Sequence, residues 1–259
     1  MLIRDRKDHM KQVLFVLSCL LFAVCSCQSS KVVINGIVDG LADTDTINVV
    51  LYHFDGEVGK QYMLDTLDRG RFHFELDTLP SGNSKYCIGL FSKHAGIPEV
   101  LCLCPELYLE PGAHVHMKGI GKYYYTARIS SPVKDQKLRQ RILGKMSQKD
   151  WEHFQDLYVD RYAVVNKRMY GSGLSSNERD SLYRLSEVML KQSDSISILL
   201  NHQRMKLMVT EPPGQYWMDK LKSEAKGLSI GRDKEYRPII EQLYAGLPAE
   251  LRDSPVGRR

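Results

Sequence analysis

From Lys31 to about Arg128, apolar and polar residues alternate with a period of two, in short runs separated by turn residues. Val32-Val-Ile-Asn-Gly-Ile-Val38 reads as a strand, and Asp39-Gly40 begins the break after it. In the next run, Ile47 to Phe54, residues Ile47, Val49 and Leu51 share a face. Asp68-Arg-Gly70 supplies a turn before Arg71-Phe-His-Phe-Glu-Leu76. There Phe72, Phe74 and Leu76 point one way and Arg71, His73 and Glu75 the other, as in a half-buried antiparallel strand. Tyr86 to Phe91, Val100 to Cys104, Leu107 to Leu109 and Ala113 to Lys118 complete about seven short strands, a spacing that predicts a β-sandwich or small barrel.

After Ser131-Pro132 the period lengthens. Lys134 to Met146, Asp150 to Tyr170 and Ser176 to Met208 place apolar residues three and four apart, which predicts amphipathic helices. Ser175-Ser-Asn-Glu178 is a capping box, in which a hydroxyl and a carboxylate three residues on satisfy each other's orphan amides. Glu211-Pro-Pro-Gly214 ends the long helix and opens another through Tyr216 to Leu221. A further helix from about Asp233 to Tyr244 holds Pro238 in its first turn. The expected class is α+β: an N-terminal antiparallel β-sandwich or barrel-like domain over residues 27–130, then a helical region over 131–259.

The first residues change the picture of where the protein resides. Arg4, Arg6, Lys7 and Lys11 precede an apolar run from Val13 to Val24, the layout of a secretory signal peptide. The run is shorter than the roughly twenty residues that cross a bilayer. It ends in Val24-Cys25-Ser26-Cys27, which resembles the lipobox of bacterial lipoproteins: residues 1–26 are removed and Cys27 is acylated. Gln28-Ser-Ser-Lys31 lacks an aspartate after the cysteine and lacks an acidic run. By resemblance to the sorting rules of such lipoproteins, this implies the outer membrane, facing the periplasm. Processing takes away four basic and two acidic side chains, so the formal charge falls from +5 to +3, too mild a balance for a nucleic-acid partner. Lys134, Lys137, Arg139, Arg141 and Lys145 read as a solvated helix face. With 43% hydrophobic residues, the roughly 230 that remain can bury a real core.

Candidate chemistry is sparse. Cys87, Cys102 and Cys104 remain after processing, an odd number. Alternation along Val100 to Cys104 puts Cys102 and Cys104 on one strand face, without the helix N-terminus that activates a Cys-x-x-Cys pair. Buried structural thiols rank first, a bridge from Cys87 to one of the pair second, and a reactive pair last. His114 and His116 share a strand face and are candidate metal ligands, but a third ligand from His53, His73 or His94 is not placed by the sequence, and an exposed face is the plainer reading. Tyr123-Tyr-Tyr125 could hold a sugar or peptide, but a strand leaving a sandwich commonly uses such a cluster for core and edge packing. Gly-x-Ser-x-Gly, His-Glu-x-x-His, Walker and dinucleotide signatures are missing; Asp65, Asp68 and Asp77 sit at hairpin ends, where aspartate serves turns. No cofactor is implied.

Three segments carry a family resemblance: Ile34-Asn-Gly-Ile-Val38, the Leu64 to Phe74 hairpin, and Leu107-Tyr-Leu-Glu-Pro-Gly-Ala-His-Val-His-Met117. Together with Pro212 to Tyr216 and Leu247 to Gly257, they resemble the N-terminal domain of unknown function of thioredoxin-like thiol:disulfide interchange lipoproteins of Gram-negative bacteria. Such proteins continue into a domain with Trp-Cys-x-x-Cys, a motif that the residues up to Arg259 do not contain. The resemblance implies envelope location and association with thiol:disulfide exchange. The expected function is a membrane-anchored, non-catalytic binding or positioning module. The membrane is its partner through lipid, and an envelope protein or peptide is a further candidate partner. The alternatives are the front piece of an oxidoreductase and, less favoured, a receptor for a small ligand or peptide.

Overall fold

The computed structural model describes residues 31–41, 46–55, 58–79, 85–94, 97–229 and 234–252; residues 1–26, read above as a signal peptide, Cys27, and Arg258-Arg259 lie outside them. The described residues have mixed α and β content, with strands in the first half and helices in the second. One sheet contains β1 (Val32–Asp39), β4 (Arg71–Leu76), β8 (His114–Ile120) and β9 (Arg128–Ser130), in the order β4-β1-β8-β9. The other contains β2 (Asn48–Asp55), β3 (Val58–Thr66), β5 (Lys85–His94) and β6 (Ile97–Val100), in the order β3-β2-β5-β6, and β7 (Glu106–Tyr108) also pairs with β5.

Period-two patterning sets the faces. Val32, Ile34 and Val38 of β1, Phe72, Phe74 and Leu76 of β4, and Val115 and Met117 of β8 are buried, while their neighbours point out. Gly36 lies among the inward positions because a Cβ there would stand 1.9 Å from the Phe72 ring. Between β3 and β4, Asp68 and Arg71 exchange two backbone hydrogen bonds of 2.9 Å, with φ of 49° at Arg69 and 72° at Gly70. That is a type I′ turn, and it hands the chain from one sheet to the other.

Three expectations need correction. The sheets are not wholly antiparallel: β1 and β8 run parallel, with Val33 opposite His114. A parallel pair needs a long crossover, and the excursion through β2, β3 and β5 supplies it. Val100 to Cys104 is not a strand. β6 ends at Val100, and β7 then pairs further along the same edge of β5, so residues 101–105 bow away between the two pairings. Tyr123 to Tyr125 is not a strand either, but part of a 3-10 turn, Gly121–Thr126, that buries Tyr124 and Tyr125.

The helices are α1 (Lys134–Lys145), α2 (Gln148–Tyr170), α3 (Ser176–Met208), α4 (Gln215–Ser229), α5 (Arg237–Ala245) and the short α6 (Ala249–Arg252). The capping box opens α3: Ser175 N–H donates to Glu178 Oε2 (2.8 Å) and Glu178 N–H to Ser175 Oγ (3.3 Å). At the start of α4, Tyr216 N–H donates to Asp135 Oδ1 of α1 (3.0 Å), so one helix caps another. Pro238 occupies the first turn of α5. One hydrophobic cluster joins Ile34 and Phe74 of the first sheet, Leu51 and Ile88 of the second, and Ile142, Trp151, Leu200 and Met208 of the helices.

Where the helices meet the β half, buried side chains accept from backbone amides of β7 and the 3-10 turn. Gln136 Oε1 accepts from Tyr108 N–H (2.9 Å), and Gln155 Oε1 accepts from Tyr125 N–H (3.2 Å). Arg139 corrects the solvated-face expectation: it is fully buried and donates from Nη2 to Tyr125 O (3.1 Å). Its helical phase explains this, because Gln136, Ile142 and Leu143 stand three and four residues away and are buried with it.

Candidate functional site

Between the second sheet and helices α2 and α3 lies a cavity of about 330 Å³. Strand β5 contributes Lys85 and Cys87, the segment before β7 contributes Leu103 and Cys104, and β7 contributes Glu106. The 3-10 turn adds Tyr125, α2 adds Trp151 and Phe154, and α3 adds Leu200, Asn201 and Arg204.

Charge at the site is dense and mostly buried. Lys85 Nζ lies 3.0 Å from Glu106 Oε1, and Lys220 Nζ of α4 lies 2.7 Å from each oxygen of the same carboxylate. Burial alone would raise the Glu106 carboxyl, but Lys220, Lys85 and Arg139 outweigh it and hold it well below the usual carboxylate range. Asp219 shows the opposite balance: burial raises it, although it accepts from Gln215 Nε2 (2.7 Å) and Tyr108 OH (3.1 Å).

A stack of cations and rings crosses the site. The Arg139 guanidinium lies 5.1 Å from the Tyr125 ring centre, Tyr125 and Trp151 have centroids 4.6 Å apart at 31°, and Arg204 sits 5.8 Å from Trp151. Arg204 is 6% exposed. Its Nη1 donates to Asn201 Oδ1 (2.9 Å), and its Nε has no hydrogen-bond partner among the described residues.

No family model, curated protein or solved structure matches this chain. What the site can do therefore rests on its own chemistry.

The three thiols are free. Cys87 and Cys104 come together at the cavity wall, whereas Cys102 turns into the hydrophobic core. Its neighbour Cys104, together with burial, pushes the Cys87 thiol up, while Cys87 draws Cys104 down against its own burial; burial, with Cys104 nearby, pushes Cys102 up. Cys102 and Cys104 thus do not share a face, because residues 101–105 are irregular. His114 and His116 are exposed on β8, and among the described residues no three metal-ligating side chains gather. His73 turns to Asn35 Oδ1 (2.8 Å) and Glu75 (3.2 Å), His53 lies 4.9 Å from the Tyr86 ring, and the His94 side chain lies outside the described residues. Among the described residues, no helix is long and apolar enough to cross a membrane.

Sequence patterning did not single out Lys85, Glu106, Trp151, Arg204 or Lys220. One signal was available: Arg204 stands four residues from both Leu200 and Met208, a charge on the apolar stripe of α3.

Proposed function

We propose that this chain is an envelope lipoprotein, tethered through lipid on Cys27, that binds a ligand in the sheet-to-helix cavity without transforming it. Its place is the periplasmic face of the outer membrane, in association with thiol:disulfide exchange, and its two sheets stack as a sandwich. The observation that carries the binding role is the cavity itself, walled by Trp151 and Phe154 and holding the buried Arg204 guanidinium, which has no hydrogen-bonded carboxylate among the described residues. Glu106 and Glu224 keep this guanidinium charged through space, and its hydrogen-bond partner is the neutral Asn201, which leaves room for an acceptor from a ligand. The lipobox-like Val24-Cys25-Ser26-Cys27 supports the anchor, and the family resemblance supports the link to disulfide chemistry. Cells are grown with an alkyne-tagged fatty acid, and the purified chain is assayed for reduction of insulin disulfides. Label on the wild type but not on Cys27→Ala, with no thiol-dependent reduction, is the expected result. Label persisting on Cys27→Ala refutes the anchor, and thiol-dependent reduction refutes the non-catalytic role.

A further inference from the structure

Resting on the cavity as a binding site, we propose that its ligand is a small amphipathic anion: a carboxylate-class head group held by Arg204, on a flat apolar body lying against Trp151 and Phe154.

The charges around the cavity are not equally engaged. Lys85 and Lys220 are both taken up by Glu106. Arg139 donates to the Tyr125 carbonyl and lies over its ring, and although its Nε and Nη1 have no partner among the described residues, it does not line the cavity. Arg204 does line it, and among the described residues its acceptor is the neutral Asn201, while Glu106 and Glu224 act on it through space. Its planar fork of donors matches a carboxylate, and in a buried setting such a charge-assisted pair is stronger than a neutral one.

The remaining walls fix the rest of the ligand. Trp151, Phe154, Leu103 and Leu200 offer apolar and aromatic surface, which a bare inorganic ion would leave uncovered. A cationic ligand would face Lys85 and Arg204 together. At about 330 Å³ the cavity is at the small end of ligand pockets, roughly 300–1,000 Å³, which suits a compact molecule rather than a peptide.

The test uses two probes of equal shape, 1-naphthoate and the neutral 1-naphthalenemethanol, titrated into the purified full chain by calorimetry. The anion is expected to bind at least about tenfold more tightly. Arg204→Met should weaken naphthoate about ten- to a hundredfold and leave the alcohol nearly unchanged. Circular dichroism confirms that this variant is folded before titration, because Glu106 and Glu224 lose a nearby cation. Arg204→Lys, which keeps the charge and loses the fork, should fall between. Equal binding of the two probes, or naphthoate binding indifferent to Arg204→Met, overturns the anion assignment while leaving a binding cavity. Failure of both probes to bind, or undiminished binding in a Ser197→Trp variant, in which an indole on this cavity-lining position of α3 fills the space, overturns the cavity as the site as well.

Discussion

Glu106→Gln removes the carboxylate that neutralises two lysines at once. Lys85 and Lys220 lie 3.0 and 2.7 Å from it, with side chains 23% and 11% exposed. Removing one partner of a buried pair costs about 3–5 kcal/mol, and the partial exposure of Lys85 places the expectation near the lower end, about 3 kcal/mol. For a chain of this size, that lowers the melting temperature by roughly 6–12 °C. Urea unfolding followed by circular dichroism at pH 7 measures the loss directly. Its pH dependence carries a second signature. The wild-type carboxyl is depressed by folding, so its contribution is present above the unfolded carboxylate range, near pH 4, and fades as pH falls through the lower folded value. In the variant Lys85 loses the counter-ion that holds it up against burial, so burial draws it below its value in the unfolded chain. The unfolded state then binds more protons at alkaline pH, so the deficit should shrink as pH rises towards 10. Replacing all three residues by Met should recover most of the stability. A Glu106→Gln midpoint within about 0.5 kcal/mol of wild type would refute the assigned role of this carboxylate.

Gln155→Leu leaves the buried Tyr125 N–H without its acceptor and should cost about 1–3 kcal/mol in the same unfolding assay. Gly36→Ala drives a methyl into the Phe72 ring, with an expected loss of about 1–3 kcal/mol, part of which Phe72→Leu in the same chain should restore. Diamide, which takes two hydrogens as two thiols become a disulfide, should join Cys87 to Cys104 and leave Cys102 as a thiol. Peptide mapping reads the pairing, and a bridge to Cys102 would contradict the placement of that residue in the core.

Much of the secondary structure was legible because burial repeats with the period of each element. Phe72, Phe74 and Leu76 announce β4, and the capping box at Ser175 announces the start of α3. The alternation could not show that β8 would return parallel to β1, since strand direction depends on the path taken between them. Nor could it place the break after Val100, which follows from two strands sharing one edge of β5. The site was harder to see. Its charged groups come from β5, β7, α1, α3 and α4, and each reads locally as an ordinary surface residue. Arg139 and Arg204 stand on the buried faces of their helices, Arg139 beside Gln136 and Arg204 between Leu200 and Met208.

The place of β1 in its sheet also has a mechanical meaning. Although it is the first described strand, it is central, bonded to β4 on one side and to β8 on the other. A pull applied to the chain ahead of Lys31 runs along the strand axis, nearly across the direction of its hydrogen bonds. Both ladders are therefore sheared together rather than opened one bond at a time, and the point of entry into the fold is one of its most force-resistant parts.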